Sequence, residues 1–64
     1  LNLSQEHFVP GLDMKMMYYE MVWASEGYLW EKVQRGGLNV DELEDDFVRM
    51  IDFWKSIFLR KEEL

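Results

Sequence analysis

The stretch LDMKMMYYEMVWASEGYLWEKV, Leu12 to Val33, decides how this chain folds. Its apolar residues recur at three- and four-residue steps, the period of a helix, and the spacing predicts one long helix over residues 12–35. The apolar positions fall into two stripes. Met14, Tyr18, Met21, Val22, Leu29 and Val33 form the first, and Leu12, Met16, Tyr19, Trp23 and Trp30 form the second. At 100° per residue the stripe centres lie about 115° apart, which is too wide for one antiparallel neighbour to cover both. Asp13, Glu20, Gly27 and Glu31 make up the only continuous polar strip. Gly27 costs the helix about 1 kcal/mol relative to alanine. It reads either as a point of close helix approach or as a solvent-facing glycine on that strip.

Downstream of this stretch the chain turns. Gly36-Gly37-Leu38-Asn39 supplies glycines for a left-handed helix end and an asparagine to cap the next helix, so the turn is placed at 36–39. Asn39 and Glu42 also have the spacing of a capping box, in which Glu42 reaches back to the cap amide. A second helix is expected over residues 40–61, with Val40, Leu43, Phe47, Met50, Ile51, Trp54, Ile57 and Phe58 on one face. Asp41, Glu42, Glu44, Asp45 and Asp46 crowd its start, and Arg60 and Lys61 sit at its end, both in the sense the helix dipole favours. Val48, Phe53 and Leu59 fall outside the apolar face, with Phe53 the most conspicuous. Upstream, residues 1–11 form an N-terminal segment in which Ser4 caps a short turn, Leu3 packs on Phe8, and Pro10-Gly11 redirects the chain or opens the first helix.

Two helices of similar length, each about 34 to 36 Å, joined by a short link predict an all-α antiparallel hairpin that forms one domain over residues 1–64. A 64-residue chain without cysteine stands near the lower size limit for independent folding. Association is then the simplest source of further burial. The expected assembly is a homodimeric four-helix bundle, with Leu12, Met16, Tyr19, Trp23 and Trp30 as the partner interface. Three competing explanations of the second stripe are an N-terminal cover built from Leu3, Phe8 and Val9, a Met-rich groove for a foreign helix, and packing on a missing remainder of the same chain. Leu1 in place of Met leaves open a processed product or a piece of something longer.

Composition narrows the function classes. Thirteen acidic residues against seven basic ones give a net charge of −6, which disfavours direct contact with nucleic acid or anionic lipid. No apolar run is long enough to span a bilayer, and no signal-like segment opens the chain, so the expected location is cytoplasmic. Glu-x-x-His is absent, Glu20 and Glu31 lie on the polar strip, and Asp41, Asp45 and Asp52 lie on the outer side of the second helix, so no metal is expected. His7 stands alone. Ser4, Ser25 and Ser56 lack a His and acid at a recognisable spacing, and Gly36-Gly37 is too short to cradle phosphate beside an acid-rich helix start. The expectation is a non-enzyme without cofactor that acts on itself or another protein as a small regulator, adaptor or assembly subunit. The alternative is a nucleic-acid mimic whose Asp41, Glu42, Glu44, Asp45 and Asp46 block a basic groove, although the helix dipole already accounts for where those acids sit.

Overall fold

In a computed structural model of the protein, the described residues are 5–64. Along them run a short 3-10 turn at Gln5–His7, helix α1 at Met14–Gln34, helix α2 at Val40–Phe58 and a second 3-10 turn at Lys61–Glu63. There is no strand among the described residues, only an isolated antiparallel bridge between Phe8 and Leu59. The two helices form a hairpin, elongated to 41 × 21 × 19 Å. The expected capping by Ser4 and packing of Leu3 lie outside the described residues.

Each helix end has a chemical cause. Val9-Pro10-Gly11-Leu12 is a turn closed by the Leu12 amide donating to the Val9 carbonyl at 3.2 Å, with Gly11 at φ +76°. Proline then glycine at its centre suits a type II turn. The pair therefore redirects the chain, and α1 opens two residues later than expected. Asp13 is its N-cap, with a side-chain oxygen accepting from the Met16 amide at 3.0 Å. At the other end, Gly37 N–H donates to Lys32 O and Gly36 N–H to Val33 O, the paired bonds of a Schellman motif. Gly36 at φ +111° and Gly37 at φ +139° occupy backbone that side-chain-bearing residues rarely adopt. Asn39 caps α2 as expected, accepting from the Glu42 amide at 3.0 Å. Glu42 does not complete a capping box, because its carboxylate pairs with Lys32 across the hairpin.

α2 stops at Phe58, not at residue 61. No glycine or proline ends it there, and the reason is tertiary. Val9 N–H donates to Phe58 O at 2.8 Å, Arg60 N–H to His7 O at 3.1 Å and Arg60 Nε to Phe8 O at 2.9 Å. These bonds hold Leu59 in an extended conformation, and pairing with the N-terminal segment outweighs continuation of the helix.

Across the hairpin, the row of α1 turned inward is Met14, Met17, Met21, Ser25, Tyr28 and Lys32, all half-buried or better. On α2 it is Leu43, Asp46, Phe47, Met50, Trp54 and Phe58. The expected inner stripe of α1 is thus corrected. The helix is rotated so that Tyr18 and Val33 are exposed, while Met17 is the one described residue that is buried, at 4% exposure. The expected α2 face holds along its middle, but Val40, Ile51 and Ile57 at its margins are exposed. The rotation of α1 follows from the turn-end contacts, where Tyr28 and Lys32 reach α2. Their aromatic and charge-bearing groups set the inner face, and aliphatic spacing alone does not reveal that.

Two glycines have opposite roles, and this gives a test. Gly36→Ala forces a Cβ into positive φ and is expected to lower stability by about 1 kcal/mol in urea denaturation. Gly27 is helical, and a Cβ there meets nothing within 4 Å. Gly27→Ala is expected to raise stability by about 0.5 to 1 kcal/mol; destabilisation by Gly27→Ala would instead reveal a close approach at that point.

Candidate contact surface and the groups that frame it

The side of α1 away from α2 is apolar and wet. Trp30 is 68% exposed, Trp23 55% and Met16 44%, and Leu29 and Val33 are exposed beside them. Tyr19 is half-buried because its ring stacks on Trp23, with centroids 5.3 Å apart and planes at 20°. Tyr18 meets Tyr19 edge to face at 5.6 Å, and the Lys15 ammonium lies 6.0 Å from the Tyr19 ring centroid. The aromatic groups are thus ordered by one another while their outer faces remain open. Leu12 is not part of this surface. It precedes the helix, half-buried, and lines a cleft of about 240 Å³ with Phe8, Val9, Pro10, Met14 and Arg60. That volume is below the usual range for small-molecule pockets.

Phe8 and Val9 do not cover the tryptophans. The segment Gln5–Val9 is spent on the end of α2, through the backbone bonds described above and an ion pair between His7 Nδ1 and Glu63 Oε1 at 2.9 Å. Glu6 lies 3.6 Å from the other ring nitrogen. The hydrogen bond that the His7 ring donates to Glu63 and the charges of Glu63 and Glu6 raise the His7 pKa above its ordinary value. The sequence leads to the expectation that His7 is a surface residue or part of a capped turn; it is exposed and lies in the Gln5–His7 turn, and no local signal marks its partner 56 positions away.

At the opposite end a polar cluster ties α1 to α2. The Tyr28 hydroxyl donates to Asp46 Oδ2 at 2.5 Å, and its ring meets Phe47 edge to face at 5.4 Å. Lys32 pairs with Glu42, lies 3.9 Å from Asp46 and sits 5.5 Å from the Tyr28 ring centroid. Desolvation, reinforced by the hydrogen bond to Asp46 and the charges of Asp46 and Glu42, pushes the Tyr28 phenol up to about 12. The bond to Glu42 raises the Lys32 pKa as well. This cluster divides the acidic block. Glu42 and Asp46 are engaged with α1, whereas Asp41, Glu44 and Asp45 face solvent. The five acids therefore do not form one free surface.

No group of three or more potential metal-binding side chains occurs among the described residues. Neither helix is long and apolar enough to cross a membrane. No protein-family model, curated protein or solved structure matches the chain.

Two titrations test the framing contacts. The raised His7 pKa adds stability that is full below the unfolded value of about 6.5 and is lost as pH rises through the folded value. The His7 ring protons should titrate above 6.5 by NMR and fall back toward that value in Glu63→Gln; an unchanged midpoint would remove the ion pair. Tyr28 likewise contributes below about 10 and loses its contribution as pH climbs toward 12. One phenol should ionise near 12 in the ultraviolet difference spectrum, and Tyr28→Phe should abolish that step.

Proposed function

We propose that the protein acts through contact with another protein chain, without catalysis, and that α1's outer face is the contact surface. The observation that carries this reading is the exposure of Trp23 and Trp30 on the side opposite α2, in a chain whose described N-terminal segment is committed elsewhere. Two indole rings and a thioether at helical spacing are the residue types enriched at interface centres. The accessible surface is 5381 Å², whereas a compact monomer of 7.8 kDa exposes about 4,400 Å². That excess, on the order of 1,000 Å², is drawn from both helices of an elongated hairpin, since Val48, Ile51, Phe53 and Ile57 of α2 are exposed along with the outer side of α1. A self-associating module in which two hairpins pair into a four-helix bundle is the assembly this reading favours, with a regulatory, adaptor or structural role.

An acidic groove-blocker is less well supported, because Glu42 and Asp46 are tied into the hairpin. The remaining acids sit where the dipole of α2 already favours them.

Trp23→Ala and Trp30→Ala should each weaken association by about 2 kcal/mol or more while leaving helix content nearly unchanged. Circular dichroism reads helix content. Sedimentation of the pure protein and co-purification with chains of the native source read association. Loss of helix content in step with association would assign both tryptophans to the fold and remove the contact reading.

A further inference from the structure

The exposed residues of α1 are spaced for more than a generic patch. Met16, Trp23 and Trp30 stand seven residues apart, and Tyr19, Glu26 and Val33 stand three residues after each. Alternating steps of three and four place all six on one seam, the pattern by which one helix packs along another. The seam lies opposite the Met17, Met21 and Tyr28 row that faces α2. Five of its positions are apolar or aromatic. The sixth, Glu26, is exposed and stands in the middle.

Building on the contact reading above, we infer that this seam closes on a second copy of the chain, with the two α1 helices antiparallel across a two-fold axis. Met16 then meets Val33 of the second copy, Tyr19 meets its Trp30, and Trp23 meets its Glu26. This register uses every seam position and overlaps the two helices over their full length. Its centre, between residues 24 and 25, falls at the middle of Met14–Gln34.

Glu26 sets the direction. In a parallel pair the two Glu26 carboxylates would share one layer, like charges in an enclosed seam. In the antiparallel pair each carboxylate lies in a different layer beside a Trp23 of the other copy. There it accepts from the indole N–H, a donor that needs a partner once covered. The flanks agree. Glu20 comes beside Gly27 of the second copy, and Val22 beside its Leu29, so these flanking pairs bring no like charges together. α2 packs on the opposite side of α1 from the seam, and its Glu42 and Asp46 are engaged with Lys32 and Tyr28 there.

Area supports the same occupant. Aromatic side chains bury about 150 to 250 Å² each, so the exposed fractions of the seam and of Leu29 amount to roughly 600 Å² per copy. The pair would therefore bury about 1,200 Å², the lower end of specific interfaces. An isologous contact is available to every copy without another component.

The chain has no cysteine, so introduced thiols report alone. Met16→Cys and Val33→Cys are made separately, checked for helix content, and oxidised alone and as an equal mixture. The mixture should yield a covalent dimer at least tenfold faster than either variant alone. A second measurement needs no substitution. Met16 and Val33 of one chain lie about 25 Å apart along α1, so a nuclear Overhauser contact between their methyl groups in the native protein arises only between copies. Self-cross-linking of Met16→Cys as fast as the mixture would show a parallel pair and overturn the register, with the contact reading of α1 intact. A constant monomer mass at millimolar concentration, with no Met16–Val33 contact, would overturn the second copy as occupant and leave the contact reading to the tryptophan substitutions.

Discussion

The structure depends on one constraint: a 21-residue helix with apolar side chains on opposite sides and a single long neighbour to pack against. α2 covers the row from Met14 to Lys32, and that leaves one described residue, Met17, buried. Large apolar side chains ordinarily supply most of a small domain's stability, at about 25 cal/mol per Å² removed from water. Here many of them remain outside. A single hairpin uses only part of the hydrophobic surface its sequence carries; the unspent part includes Trp23 and Trp30 on the outer side of α1 and Val40, Val48, Ile51, Phe53 and Ile57 on α2.

What holds the hairpin in shape is largely polar and placed at its two ends. Tyr28, Lys32, Glu42 and Asp46 join the helices beside the glycine turn. His7, Phe8 and Val9 join Phe58, Arg60 and Glu63 at the open end. Such contacts set alignment more than they add stability, since partly exposed ion pairs gain little against solvent. The middle of α1 is left free of them on its outer side.

Much of this was legible in the residues. Two helices, the glycine turn and the Asn39 cap follow from local chemistry, and the structure places them within one or two residues, apart from the end of α2. That end was not legible, because Leu59 leaves the helix to pair with Phe8, and no local signal marks a long-range bridge. Nor was the rotation of α1. Counting aliphatic and aromatic spacing put Tyr18 and Val33 inside, whereas the inward row is selected by Tyr28 and Lys32, whose polar tips find partners on α2. Asp13 was assigned to a polar strip and is a cap. Of the expected interface, Met16, Tyr19, Trp23 and Trp30 share the outer side of α1, while Leu12 belongs to the link before it.

The central claim is that this outer side is closed by a second hairpin, and the mass of the pure native protein in solution tests it most directly. Sedimentation equilibrium across a range of concentrations should show a species of twice 7.8 kDa that dissociates on dilution. A mass that stays at 7.8 kDa up to millimolar concentration would contradict the account.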